Sequence, residues 1–314
     1  MSGAGLITLG ETMGLVVQAG AGHVRNGEAM TFGMGGSESN VAIGVRRLGV
    51  PATWVGRLGD DPPGQLIRRE LRAEQVEVLA VPDPAPTGLM MRWRPAAGRG
   101  RVTYYRRDSA GSHLSPDDVP SEAVAGAAVL HVSGITLALG AGPAAAVARA
   151  IAVARAAGTI VTFDVNHRRT LWSDAEAAER FRAILPDCDV VFAGLDDARL
   201  LTGDLDAEAA ARALEALGPR QVLITMGAEG CVARIDGVSL AVPAPAVPVV
   251  DTVGAGDAFV AGYLAELIVS APPSRRLATA VAAGALAVGV SGDWEGMPHR
   301  DALALHDQVE PVIR

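Results

Sequence analysis

Residues 251–259 read Asp251-Thr252-Val253-Gly254-Ala255-Gly256-Asp257-Ala258-Phe259, and an apolar helical pattern runs on from Phe259 through Tyr263, Leu267 and Ile268. The first amides of a helix have no partner inside it, and the helix dipole makes that end positive. Gly254, Ala255 and Gly256 are small enough to let an anion reach those N–H groups, so the turn is a candidate cradle for a phosphate or oxyanion. Asp257 falls in the first helical turn, beside that anion. A carboxylate sharing that site with a phosphate carries an electrostatic cost, which makes sense if it takes a proton from a hydroxyl attacking the phosphate; this points to phosphoryl transfer with Asp257 as general base. The plainer alternative is a glycine-rich strand-to-helix turn on which Asp257 has no task. Two aspartates, a small-residue turn and an apolar helix together favour the chemical reading. The chain carries no G-x-x-x-x-G-K-[ST] loop.

Outward from this turn, short apolar runs alternate with amphipathic, alanine-rich stretches, the pattern of a mostly parallel sheet covered by helices. Strands are expected at Leu6–Leu9, Ala52–Val55, Val129–Val132, Ile160–Phe163, Val190–Phe192 and Val222–Thr225. Helices are expected at Ser39–Leu48, Pro62–Gln75, Pro143–Ala157, Ala175–Leu185, Ala207–Leu217 and Ser274–Val290. The 314 residues suit one large α/β domain with an appendage. Two β-like stretches, about 14–32 and 86–106, interrupt the alternation, with a hairpin tip at Ala96-Ala97-Gly98-Arg99-Gly100. Paired into a small sheet over the site, they would form a lid that keeps water from competing with an acceptor hydroxyl.

Hydrophobic residues make up 49% of the chain and aromatics 4%, enough for a core of closely packed helices on strands. No membrane span or signal peptide is expected, and Cys188 and Cys231 read as buried thiols of a cytoplasmic protein. A net charge of −8 argues against a broad nucleic-acid surface. No histidine pair has zinc spacing.

Several shorter stretches carry polar side chains at useful places. Gly33-Met34-Gly35-Gly36-Ser37-Glu38-Ser39-Asn40 leads into a helix; glycine amides and Asn40 could hold ligand hydroxyls, or Ser37 or Ser39 could cap the helix. In Val102-Thr103-Tyr104-Tyr105-Arg106, strand alternation puts Tyr104 and Arg106 on one face, suited to a carboxylate or sugar hydroxyl, and leaves Tyr105 for packing. Phe163-Asp164-Val165-Asn166-His167-Arg168 ends a strand where open parallel sheets bind ligands, making Asn166 and Arg168 ligand candidates and His167 a packing residue. Thr225-Met226-Gly227-Ala228-Glu229-Gly230 ends another strand with a turn able to pass close to a nucleotide.

Taken in order, these elements resemble the ribokinase-like (PfkB) carbohydrate kinases from about Gly10 to Pro298, and within them most resemble the 2-keto-3-deoxygluconate kinases. Gly35, Gly36 and Asn40 match the sugar-binding signature, and residues 251–257 match the C-terminal one. Further marks are Gly10-Glu11, Tyr104-Tyr105-Arg106 followed by Ser109-Ala110, Asp164-x-Asn166-x-Arg168 with Leu171-Trp172, and Gly292-Asp293-Trp294-Glu295-Gly296. The resemblance implies a three-layer α/β/α sandwich with a β lid, ATP as donor and Mg2+ for charge neutralisation. It implies Asp257 as base, an anion hole at Gly254, Ala255 and Gly256, and an ATP site at Asn166, Thr225, Gly227 and Gly230. Tyr104, Arg106 and Arg168 would handle the acid end of the substrate, with Asp251 and Asp293 also at the acceptor. Gly194 and Asp197 stand where the family often has Asn and Glu; Asp197 keeps a charge for the water shell of Mg2+. A monovalent cation such as K+ near Asp251 and a homodimer through the lid edges are further expectations. Other acceptors (fructose, ribose, a nucleoside) and a non-catalytic sugar sensor are the competing readings.

Overall fold

The computed structural model describes residues 4–96 and 99–306. The first part of the chain runs β1 (Leu6–Leu9), β2 (Met13–Gln18), β3 (Met30–Gly35), α1 (Ser37–Arg47), β4 (Ala52–Gly59), α2 (Pro62–Ala73) and β5 (Glu77–Asp83). It continues with β6 (Leu89–Ala96), β7 (Arg99–Tyr105), α3 (Ser121–Gly126), β8 (Val129–Ser133), α4 (Gly134–Leu137), α5 (Ala141–Ala157) and β9 (Ile160–Asp164). Next come α6 (Asp174–Ile184), β10 (Val190–Gly194), α7 (Leu195–Thr202), α8 (Ala207–Glu215), β11 (Gln221–Thr225), β12 (Cys231–Ile235) and β13 (Val238–Val242). The helices α9 (Ala255–Ile268), α10 (Pro273–Ala287) and α11 (Arg300–His306) close the described chain.

The main sheet has nine strands in the order β13-β12-β11-β10-β9-β8-β1-β4-β5. From β5 to β11 every pairing is parallel, and only the β11–β12–β13 end is antiparallel. Strands β1 and β8 are buried along their whole length, as parallel strands covered on both faces must be. One core gathers Val41, Ile43, Trp54, Tyr263 and Leu264 under α1, α2 and α9; the other gathers Val147, Ile151, Phe163 and Phe181 under α5 and α6. Those two cores make the three layers.

A second sheet of four strands has the order β3-β2-β6-β7, with β2 and β6 parallel and both outer pairs antiparallel. This is the expected lid, assembled from the two interrupting stretches. Residues 97 and 98 of the expected hairpin tip lie outside the described residues.

Three local expectations need correction. The hairpin β12–β13 extends the sheet beyond the expected strands: β12 buries only alternate residues and β13 is largely exposed, so neither is a buried apolar strand. Helix α1 begins at Ser37 with Gly36 as its N-cap, and neither Ser37 nor Ser39 caps it: Ser39 Oγ donates back to the Gly36 carbonyl and Ser37 Oγ turns towards Asp257. Tyr105 is not packed but 63% exposed, since strand alternation points it to the lid's outer face, away from Tyr104. His167 is the packing residue expected, edge-on to Phe181 and bonded through Nε2 to Asp174. Cys188 and Cys231 are both free and buried.

Candidate active site

Two helix N-termini meet at the carboxyl ends of the parallel strands. Helices α1 and α9 lie in close contact because Gly44 of α1 faces Ala261 of α9, where any side chain on Gly44 would collide. Helix α9 starts after Gly254, whose φ of 77° lies in the left-handed region that glycine adopts without strain. A Cβ on Gly254 would also run into the carbonyl oxygen of Asp293. The turn therefore requires glycine for its conformation and for its neighbour.

Asp257, in the first turn of α9, accepts 2.8 Å hydrogen bonds from Ser37 Oγ on one carboxylate oxygen and from Asn40 Nδ2 on the other. Asn166, held at a φ of 36° just past β9, donates in turn to Ser37 Oγ at 2.9 Å. The carboxylate is thus oriented by side chains from the opposite end of the sequence. Glu38, one residue further along α1, is buried and accepts 2.5 Å hydrogen bonds from Ser133 and Thr136, which pins the helix start to the end of β8.

Two cavities open on either side of Asp257. The larger, about 370 Å³, is lined by Asp164, Asn166, Arg168, Gly194, Asp197, Thr225, Gly254 and Gly256 among others. The smaller, about 240 Å³, lies under the lid and is lined by Glu11, Met13, Gly36, Ser37, Asn40, Met90, Arg92, Tyr104, Arg106, Ile135 and Asp293. Arg168, Val253, Gly254 and Asp257 line both.

Buried carboxyls dominate the electrostatics of the larger cavity. Burial pushes Asp257 above the usual carboxylate range, opposed by its bonds from Asn40 and Ser37. Burial likewise lifts Asp197, and lifts Asp164 well above its ordinary value with help from the charges of Asp257 and Asp197. Arg168 opposes all three shifts and has no carboxylate ion pair of its own among the described residues.

In the smaller cavity the other two arginines are already paired. Arg106 holds Glu11 through Nε at 2.8 Å and lies over the Tyr104 ring at 5.6 Å. Glu11 also accepts a 2.5 Å bond from Ser109. Arg92, on lid strand β6, pairs with Asp251 at 2.7 Å and with Asp293. Burial pushes the Asp293 carboxyl up to about 7 against the pull of Arg92.

Of the residues expected at the site, Gly36, Asn40, Tyr104, Arg106, Arg168, Asp293, Asn166, Thr225, Asp197, Gly254, Gly256 and Asp257 line one cavity or both. Gly35 sits directly beneath the Asp293 carboxyl, and Ala255 and Asp251 flank the turn without forming cavity wall. Gly227 and Gly230 are off both linings; Gly230 closes the turn into β12, where a Cβ would strike the Val242 carbonyl. Arg92 joins the wall of the smaller cavity without being among the expected residues. Its signal is the alternation Met90, Arg92 on β6, whose cross-strand partners are Tyr104 and Val102.

A family model described as pfkB family carbohydrate kinase matches residues 5–300. The chain belongs to the pfkB family of carbohydrate kinases. It is 40% identical to a 2-dehydro-3-deoxygluconokinase of Thermoproteus tenax over 302 residues, 93% of this chain and 91% of that protein. Among solved structures, a PfkB protein from Polaromonas sp. JS666 superposes with a TM-score of 0.87 at 31% identity, over 96% of this chain and 99% of the other. A fructokinase from Xylella fastidiosa with bound ATP superposes with a TM-score of 0.84 at 27% identity, over 96% and 97%. The ribokinase-like architecture and a sugar-kinase chemistry follow from these matches.

Proposed function

We propose that this kinase transfers the terminal phosphoryl group of ATP to the 6-hydroxyl of 2-keto-3-deoxygluconate, with Asp257 as the general base. The observation that carries this reading is the position of Asp257 and Gly254 on the wall shared by the two cavities. An acceptor under the lid and a nucleotide in the larger cavity would meet at that wall. Asp257 takes the hydroxyl proton, while Ser37 and Asn40 hold its two oxygens and leave their remaining lone pairs for the acceptor. Amides at the start of α9 face the transferring group, where such donors contribute ~10²–10³-fold each.

The buried carboxylates of the larger cavity suit a divalent cation held mainly by phosphates and water, as Mg2+ is; no group of three metal-binding side chains occurs among the described residues. Asp164 and Asp197 would hold its water shell, and the cation would neutralise phosphate charge. A monovalent cation at Asp251 meets a carboxylate already paired with Arg92, so no step is assigned to it.

The relative from Thermoproteus tenax supports an acid as acceptor. In the smaller cavity the carboxylate falls to Arg168 with Tyr104, because Arg92 and Arg106 enter it already neutralised. Met13, Met90 and Ile135 give that cavity an apolar side, favourable to the methylene of a 3-deoxy sugar. Phe32 and Tyr105 are exposed on the lid and support pairing of two lids in a homodimer, which a gel-filtration mass of one chain would exclude. The free, buried cysteines support a cytoplasmic location. No described helix is long and apolar enough to cross a membrane.

The test is ADP release with Mg-ATP against 2-keto-3-deoxygluconate, gluconate, fructose, ribose and adenosine. Turnover confined to the keto-deoxy acid is expected. A preference for a neutral sugar overturns the acid reading, and silence with all five overturns the named acceptor.

A further inference from the structure

Arg92 is an arginine buried to 8% exposure on a lid strand, and its two guanidinium arms go to different acidic residues, Asp251 and Asp293. Both acids grip the anion turn. Asp251 begins it, and its Oδ1 accepts the Val253 N–H at 3.2 Å. Asp293 presses its backbone carbonyl on Gly254, and its carboxyl lies on Gly35 at the end of lid strand β3. Arg92 also forms part of the acceptor cavity wall, beside Met90 on the same strand face. One side chain therefore touches the lid, the acceptor cavity and both flanks of the turn that faces the phosphoryl group.

Building on the transfer reaction proposed above, we propose that Arg92 is a positioning residue, fastening lid strand β6 to Asp251 and Asp293 so that the acceptor cavity and the anion turn are assembled together. A surface ion pair would not need such burial. A separate ion pair, Arg106–Glu11, lies just past the end of β7 and leaves the tie of β6 to Arg92. Arginine suits the role because its planar fork presents parallel donors to two acceptors, whereas a lysine supplies one point charge. Removing it frees β6 and leaves two buried carboxylates facing each other, so the turn shifts and the acceptor wall loosens in the same event.

The test compares wild type, Arg92→Met and Arg92→Lys in steady-state kinetics with 2-keto-3-deoxygluconate and Mg-ATP, well below each melting temperature. Arg92→Met is expected to raise KM for the acceptor and lower kcat by about tenfold or more each, with KM for ATP within about twofold, because a small misplacement of reacting groups is that costly. Arg92→Lys should recover part of both. A variant that melts earlier but keeps both acceptor parameters within about twofold overturns the proposal and leaves Arg92 a plain structural clamp. If wild type prefers fructose, the acid reading fails while the same comparison on fructose still decides the role of Arg92. If wild type turns over neither, amide hydrogen exchange across 251–257 decides: faster exchange in Arg92→Met supports the tie, and unchanged exchange overturns it.

Discussion

Replacing Asp257 by asparagine preserves the shape of the side chain while removing its charge and its basicity, so activity and stability should move in opposite directions. A positioned general base contributes ~10²–10⁴-fold, or about 3–5 kcal/mol of barrier. For stability, the carboxyl is lifted above its ordinary range by burial, which outweighs the bonds from Asn40 and Ser37. A carboxyl raised in the folded state binds protons that the unfolded chain has lost, so stability falls as pH rises from the unfolded value (about 4) to the folded one. Asparagine escapes that fall. The variant should thus match wild type near pH 4 and exceed it at pH 8, each kcal/mol of gain raising Tm by about 2 °C in a chain of this length. ADP release gives kcat, and scanning calorimetry at the two pH values gives the Tm gap. A kcat within about tenfold of wild type refutes Asp257 as the base. Equal melting at pH 8 refutes the argument that its buried charge opposes folding.

Three further outcomes follow from the same geometry. Gly254→Ala should fold with a loss of about 1–2 kcal/mol from the left-handed φ alone and a larger loss from the collision with Asp293, and its kcat should fall by about 10²-fold as the turn moves; unaltered kcat would show that the turn does not act on the phosphoryl group. Arg168→Ala should raise KM for an acid acceptor by about tenfold or more while sparing a neutral one, and equal losses on both would remove the carboxylate role. Away from the site, Arg57 pairs with the buried Asp83 and Asp118; burial alone would raise both acids, but the Ala85 and Ser115 amides and Arg57 hold them low. Their stabilisation is present above the ordinary carboxylate range and is lost as pH falls through the lowered values. Arg57→Met should cost about 2–4 kcal/mol at pH 7 and move the acid-unfolding midpoint upward; an unchanged acid midpoint would count against the pairing.

The sheet strands near the site were legible because each is short and built around an apolar run, and the anion turn because its glycines are forced by geometry. The lid was legible as two breaks in that pattern. What escaped was mostly what depends on distance along the chain. Arg92 reads as one more charged strand residue until Asp251 and Asp293, 159 and 201 residues away, are brought against it. Arg106 reads as a ligand for an incoming carboxylate, yet Glu11, 95 residues earlier, already occupies it. The β12–β13 hairpin had a local signal that apolar periodicity cannot detect: Asp236-Gly237, both with positive φ of 50° and 82°, is a favoured two-residue hairpin turn.

The bond between Ser37 and Asp257 spans 220 positions of sequence. During synthesis, strands β8 to β11 emerge as consecutive neighbours and can pair as they appear, and β1, β4 and β5 form a second local group. Helix α1 can settle on β1 and β4 early, but its other side waits for α9, which covers it, completes the reacting centre and is joined to it by a bond spanning 220 positions. A nascent chain therefore carries a largely built sheet with the α9-facing side of α1 bare, a surface open to chaperones or to self-association until α9 emerges. Chemistry in this kinase begins only when α1 and α9, so far apart in the chain, have met.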